Sequence, residues 1–252
     1  MTHTALQRIF ADDERPAREI ERLVVLMELF TELPAPPDPF GLYGDYAALQ
    51  SRYLATIEDG DAETVEEAFL TLYAHVHGYE APYTRSDRER MDKLGGYWCH
   101  AGGVSPLLKA GEHIRPDTVS ADFGAGNGLQ GLLMMKLYPH RRTVQIELSS
   151  RMVESGRQLQ GWLGIEPEQV EWVVGDVMEQ SALGLDFIYL YRPVRPDGEG
   201  RAFYERFAAE LGGQERAVVV FSIADCLREF LPGSFEVFYS DGHLTCYGNG
   251  AD

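Results

Sequence analysis

The stretch SADFGAGNGLQG, residues 120–131, decides the fold of this chain. Small and apolar residues come first, Asp122 follows, and glycines then stand at Gly124, Gly126, Gly128 and Gly131. Where a buried strand turns into a helix, such glycines allow a tight loop whose backbone amides approach a ligand closely. The stretch therefore predicts a strand, a ligand-binding loop and a helix in succession.

The sequence around this loop alternates short β-branched runs with helical patterns, which is typical of a parallel sheet covered by helices. Strands are predicted at residues 118–123, 143–147, 170–174, 185–191 and 217–222. Helices are predicted at residues 129–137, 151–162, 201–211 and 224–231. Two further alternating runs flank Ser240, Asp241 and Gly242, which indicates a closing β-hairpin.

Before residue 95 the pattern is helical. Amphipathic spacing predicts helices at residues 16–33, 46–57 and 62–77, and Thr64 and Glu67 have the spacing of a capping box in the last of them. We therefore expect a helical N-terminal unit, residues 1–95, followed by an α/β domain, residues 96–252. The helical unit is expected to cover the site or to select the acceptor. The joining segment, residues 83–103, contains paired glycines and either acts as a lid or contacts the acceptor, or forms a solvated helix, supported by Glu89 and Lys93, before an aromatic anchor.

Composition narrows the possible partners and compartments. Forty acidic and 22 basic residues give a formal charge of -18, which repels a phosphate backbone and makes nucleic acid an unexpected partner. No secretory signal and no membrane span are predicted. The widely spaced Cys99, Cys226 and Cys246 match neither a disulfide framework nor a zinc motif. A cytoplasmic protein without a metal is therefore expected.

The glycines alone fit two ligands, because residues 126–131 also read GxGxxG, the pattern of dinucleotide-binding folds. The two ligands differ in the charge that they favour beside the glycine loop. The carboxylate of Asp122, at the end of the strand, opposes a pyrophosphate and favours a ligand that carries an ammonium and a sulfonium. The local charge therefore predicts S-adenosylmethionine.

The segment VSADFGAGNGLQG, residues 119–131, resembles motif I of the class I, Rossmann-like, S-adenosylmethionine-dependent methyltransferases: an apolar run followed by D/E-x-G-x-G-x-G. The resemblance covers about residues 96–250. It implies an α/β three-layer sandwich with a seven-stranded, mostly parallel sheet that ends in an antiparallel hairpin. It also implies S-adenosyl-L-methionine as the cofactor.

The resemblance assigns roles to two later acids. Glu147, which ends TVQIE, stands where the family binds both ribose hydroxyls, and Asp176 stands where it accepts from the adenine amino group. Taken alone, Glu147 also suits a helix N-terminus and Asp176 a turn. The implied cofactor-binding set is Asp122, Gly124, Ala125, Gly126, Gly128, Glu147, Leu148, Asp176, Val177 and Tyr191.

The residues that act on the methyl acceptor are harder to identify from the sequence. In-line methyl transfer mainly requires that the accepting atom be held in line with the methyl group, which many residue types can do. Tyr191 ends the fourth strand, where it either lines the methyl channel or belongs to the core, and Arg192 after it is expected to be solvated. Families that methylate base amines carry Asn or Asp, two prolines and an aromatic here, so Tyr191-Arg192-Pro193 argues against that chemistry. The candidate catalytic residues are Tyr191, Tyr97 and His100.

These observations predict a methyltransferase that acts on a small-molecule or protein acceptor. Two alternatives remain open: a nicotinamide-dependent oxidoreductase that uses the overlapping GxGxxG, and a non-catalytic S-adenosylmethionine-binding module.

Overall fold

The computed structural model describes residues 2–78, 82–96 and 101–250. Its helices are α1 (Thr2–Ile9), α2 (Ala17–Glu32), α3 (Tyr46–Asp59), α4 (Ala62–His77), α5 (Arg85–Leu94), α6 (Ser105–Ala110), α7 (Leu129–Leu137), α8 (Ser150–Trp162) and α9 (Gly198–Gly212). Its strands are β1 (Val119–Phe123), β2 (Arg142–Glu147), β3 (Val170–Val174), β4 (Phe187–Tyr191), β5 (Val219–Ile223), β6 (Glu236–Ser240) and β7 (Leu244–Gly248).

The strands form one seven-stranded sheet in the order β3-β2-β1-β4-β5-β7-β6. Strands β1 to β5 pair in parallel, and β7 runs antiparallel to both β5 and β6. The predicted fold class, a mostly parallel sheet with a closing antiparallel hairpin, is therefore confirmed. Because β1 lies between β2 and β4, the strand order reverses beside its carboxyl end, where open α/β sheets bind ligands.

The sheet buries both of its faces. On one face, Phe30 and Tyr73 from the N-terminal helices pack in the same core as Leu132 of α7 and Phe187 of β4. On the other face, a second core contains Phe203 and Phe207 of α9 and Phe123 of β1. The N-terminal helices therefore form part of the layer that covers the sheet. Among the described residues, no helix has the length and apolar character needed to cross a membrane.

The predicted helix at residues 224–231 is wrong. Ala224 has a left-handed φ of 51°, which interrupts a right-handed helix at its start. Asp225 then accepts hydrogen bonds from the Leu227 amide (3.0 Å) and the Tyr247 hydroxyl (2.5 Å). A short polar side chain that bonds its own backbone two residues on favours a turn over a helix, so the chain turns here.

The predicted capping box of α4 is also wrong. The cap is Asp61, whose side chain accepts from the Thr64 amide at 2.9 Å, so Thr64 donates through its backbone instead of capping the helix. A capping box does occur at α5, where Thr84 and Asp87 each accept a hydrogen bond from the backbone of the other. This box fixes the start of a helix that reaches the candidate site.

Candidate active site

The glycine loop leaves β1 in a conformation that only glycine adopts readily. Gly124, Gly126 and Gly128 have φ values of 86°, 59° and 72°. The Gly124 amide donates to the Ile146 carbonyl of β2 (3.0 Å), which holds the start of the loop against the sheet. At Gly128 a Cβ atom would lie 2.4 Å from the Trp172 ring, so close packing also requires glycine there.

A cavity lies at the carboxyl ends of β1 to β4. Open α/β sheets bind ligands at this edge, where the strand order reverses. The predicted residues that line it are Gly124, Ala125, Gly126, Glu147, Leu148, Asp176, Val177 and Tyr191. The tertiary structure therefore brings together positions at the ends of four strands.

Glu147 ends β2 and is buried in the wall of this cavity. Its Oε2 accepts from the Gly126 amide (2.9 Å) and its Oε1 from the Ser149 amide (2.8 Å). Because each carboxylate oxygen has about two acceptor positions, one position on each remains for a ligand. Burial outweighs the two hydrogen bonds and raises the pKa of Glu147 to about 7.

This pKa predicts a pH-dependent affinity for S-adenosylhomocysteine. Ribose hydroxyls donate to the ionised carboxylate, so lowering the pH from 8 to 6, through the pKa of Glu147, is expected to weaken binding about tenfold. Titration calorimetry of the protein across this range measures the effect. The Glu147→Gln variant should have a flatter profile, whereas Glu154→Gln, on the exposed surface of α8, should keep the original one. A flat profile for the unmodified protein would contradict the assignment.

Asp176 follows β3 and lines the adjacent part of the cavity. Its Oδ1 accepts from the Met178 amide at 2.9 Å. Its Oδ2 accepts from the Arg90 guanidinium of α5, with a distance of 2.7 Å to Nε. Val177 beside it is buried and also lines the cavity. The predicted adenine acid is therefore held on two sides, by its own turn and by α5.

Asp122 is buried at the end of β1, and neither it nor Gly128 is among the described residues that line the cavity. Burial, followed by the charge of Glu147, raises the pKa of Asp122 to about 8. Burial and the Asp122 charge likewise raise the pKa values of Tyr73 and Tyr189. Asp122 thus belongs to a buried polar group with Glu147, Tyr73 and Tyr189. It would act on a ligand electrostatically, without direct contact.

Tyr191 lines the cavity at the end of β4, and its ring meets the edge of the His243 ring at 5.9 Å between centroids. Arg192 after it is half-buried, with a buried Nε atom, and the expected solvated side chain is wrong. Its φ of 30° is unusual for a residue with a side chain. Its charge lowers the pKa values of Tyr204 and Cys226 below what burial alone would produce.

The predicted catalytic residues Tyr97 and His100 lie outside the described residues. Nearby, Tyr83 is described, and it is buried and lines the cavity. Sequence reasoning missed five other lining residues: His77, Met91, Leu94, Met152 and Pro193. Met91 and Leu94 lie in the joining segment, and Pro193 follows the strand end at Tyr191, so the sequence had marked both regions without assigning these side chains. The place of His77 in the cavity wall depends on how its helix packs.

The N-terminal helices are tied directly to the glycine loop through Asn127. Its Nδ2 donates to the Val76 carbonyl of α4 (2.8 Å) and to the Tyr43 hydroxyl (3.1 Å). Its Oδ1 accepts from the Leu129 amide at the start of α7 (3.2 Å). Because Asn127 is fully buried, these bonds couple the position of the loop to the helices that cover it.

No family model matches the chain, and neither does any curated protein. Among solved structures, a tRNA (uracil-54, C5)-methyltransferase from Pyrococcus abyssi with S-adenosyl-L-homocysteine is similar, at 15% identity and a TM-score of 0.42 over 57% of this chain and 37% of that one. A putative methylase from Haemophilus influenzae is similar at 16% identity and a TM-score of 0.44, over 56% of this chain and 84% of that one. The chain thus spans well under half of the Pyrococcus abyssi enzyme, and these likenesses concern the fold alone.

The strand order and the antiparallel β7 are observations of this chain itself. Together with the glycine loop after β1, they define a Rossmann-like α/β fold with a closing antiparallel hairpin. A sheet of six parallel strands, which a dinucleotide-binding fold predicts, is not what the described residues form.

Proposed function

We propose that this chain is an S-adenosylmethionine-dependent methyltransferase that acts on a small-molecule or protein acceptor. The observation that carries the proposal is the cavity at the reversal of strand order, which Gly126, Glu147 and Asp176 line together. A glycine backbone that a ligand can approach closely, a two-oxygen acceptor and a second acid suit an adenosine ligand chemically. We also propose a cytoplasmic location, as the cysteine pattern predicts.

The described residues fit this cofactor. The glycine loop offers backbone without side chains, and both oxygens of Glu147 retain an acceptor position beside the cavity. Bound S-adenosylmethionine would supply an electrophilic methyl group on a sulfonium. The protein's own part is to hold an acceptor atom in line with that methyl group and to exclude water.

We propose that the acceptor enters near Tyr191. His77 from α4 and Tyr83 before α5 line the same cavity, so residues 1–95 contribute directly to the site. This supports a role for the helical unit, residues 1–95, as a lid or in acceptor selection by the domain of residues 96–252. The aromatic ring of Tyr191 suits a nearby cation. Tyr97 and His100 remain candidates for contact with the acceptor.

The charge of -18 favours an acceptor that carries positive charge, such as a basic protein segment, and disfavours nucleic acid. This argument concerns the approach of the acceptor to the surface. It does not select the accepting atom, so small molecules and protein side chains both stay within the proposal.

The oxidoreductase alternative uses Gly131 as its third glycine. In the structure Gly131 lies within α7, and a Cβ atom there would be 2.2 Å from Nε2 of Gln145. Close packing of a helix on the sheet is the role of this glycine in a dinucleotide fold as well, so the argument against the oxidoreductase is the antiparallel β7. The remaining alternative, a non-catalytic binding module, shares the cofactor site and differs only in chemistry.

A thermal-shift panel tests the proposal. S-adenosylhomocysteine at a hundred times its dissociation constant is expected to stabilise the protein by about 2.7 kcal/mol, whereas NAD and NADP should leave the melting temperature unchanged. If NAD raised the melting temperature instead, the oxidoreductase alternative would be favoured. If no ligand changed the melting temperature, the proposal would be refuted.

Radiolabelled S-adenosylmethionine with fractionated cell extract then separates an enzyme from a binding module. Methyl label is expected in one small-molecule or protein fraction. Stabilisation by S-adenosylhomocysteine without label in any fraction would favour the non-catalytic module.

A further inference from the structure

Helix α5 forms one wall of the cavity, although it belongs to the segment before the sheet. Met91 and Leu94 from this helix line the cavity. Arg90, also on α5, donates a hydrogen bond to Asp176 after β3, a residue 86 positions further along the chain. Both Nε and Nη2 of Arg90 lie 2.7 Å from Oδ2 of Asp176.

Arg90 is itself held from the opposite side. Its Nη1 donates to Oε2 of Glu199, in the first turn of α9, at 3.1 Å. Lys93, one turn further along α5, lies 2.6 Å from Oε1 of the same glutamate. The side chains of Arg90 and Asp176 are only 31% and 15% exposed, so this pair is screened less than a surface ion pair.

These contacts leave Asp176 with a defined capacity for a ligand. A carboxylate has about two acceptor positions on each oxygen. Arg90 donates from Nε to Oδ2 and holds Nη2 2.7 Å from the same oxygen, and the Met178 amide uses one position of Oδ1, so the acceptor position left for a ligand is on Oδ1. The two oxygens of the carboxylate cannot exchange places without breaking the Arg90 contacts.

We propose that Arg90 is a positioning residue that makes the site selective for a 6-aminopurine. The inference rests on the proposed function and adds the specificity of its adenine end. With one fixed acceptor, Asp176 binds an exocyclic amino group, whereas a 6-oxopurine presents an oxygen that repels the carboxylate. A site built around one hydrogen bond discriminates strongly against a ligand that lacks the donor.

The test compares S-adenosylhomocysteine with S-inosylhomocysteine, its 6-oxo counterpart, by titration calorimetry. The unmodified protein is expected to prefer the amino compound by about a hundredfold. Arg90→Gln should reduce this preference about tenfold, mainly by weakening the amino compound, and Arg90→Lys should restore part of it. Arg85→Gln is the matched control, because Arg85 is on the same helix but 92% exposed and paired with Glu89.

Glu199→Gln provides a second variant, because it removes a support of Arg90 without altering any residue that lines the cavity. We expect it to reduce the preference about threefold. If Arg90→Gln and Glu199→Gln weakened the binding of both ligands equally, Arg90 would only attach α5 to the sheet. That result would overturn this inference and leave the proposed function standing. Failure of the unmodified protein to bind either ligand would overturn the proposed function as well.

Discussion

Replacing Glu147 with alanine is expected to weaken binding of S-adenosylhomocysteine at least about a hundredfold. The variant removes both acceptor positions offered to the ribose, and hydrogen bonds to a charged group are each worth about 1.5–3 kcal/mol. It also removes the partner of the Gly126 and Ser149 amides, so the glycine loop loses one of its attachments to β2. Titration calorimetry at pH 8, where Glu147 is ionised, measures the loss.

Glu154→Ala is the appropriate control, because Glu154 lies on α8 with its side chain exposed. It should bind S-adenosylhomocysteine as the unmodified protein does. If Glu147→Ala kept its affinity within about threefold, the ribose assignment and the cavity as the cofactor site would both be refuted, since a lost charge-assisted bond has a larger effect.

Replacing Asp122 with asparagine is expected to stabilise the fold at alkaline pH and to weaken binding of the cofactor. The folded-state pKa of Asp122 is about 8, above the usual value of 3.8, so the free energy of unfolding falls as the pH rises through this window. One pKa unit corresponds to about 1.4 kcal/mol, and the neutral asparagine avoids this loss. The gain should appear as a higher melting temperature at pH 8.5 and should vanish near pH 4.

The effect of Asp122→Asn on binding separates the two forms of the cofactor. S-adenosylmethionine carries a sulfonium that S-adenosylhomocysteine lacks, and a buried carboxylate acts on that charge through a low-dielectric interior. We expect the affinity for S-adenosylmethionine to fall about tenfold more than the affinity for S-adenosylhomocysteine. Calorimetry with both compounds at pH 8.5 measures this ratio.

Asp117→Asn serves as the control for both effects, because Asp117 precedes the same strand but is exposed. It should change neither the melting temperature at pH 8.5 nor the ratio of the two affinities. A lower melting temperature for Asp122→Asn together with an unchanged ratio would show that Asp122 supports packing and has no part in charge recognition.

Much of the fold follows from local patterns. The predicted bounds of β3 and α7 matched the structure at both ends, and the alternation around Asp241 produced the expected hairpin. Helices α1 and α6 were not predicted, because α1 is short and α6 begins at a proline-containing turn with little amphipathic pattern. The helix predicted at residues 224–231 is absent because the left-handed Ala224 and the turn held by Asp225 outweigh the helical spacing.

The candidate site divides in the same way. The sequence by itself determined the glycine loop and the order of Glu147 and Asp176, because each is fixed by its place at the end of a strand and parallel strands end at one edge. Only the tertiary structure decided which side chains cover that edge. The contact between Arg90 and Asp176 joins residues 86 positions apart, and it depends on where α5 packs against the sheet and α9. No local periodicity encodes that placement, since it results from the summed packing of separate elements.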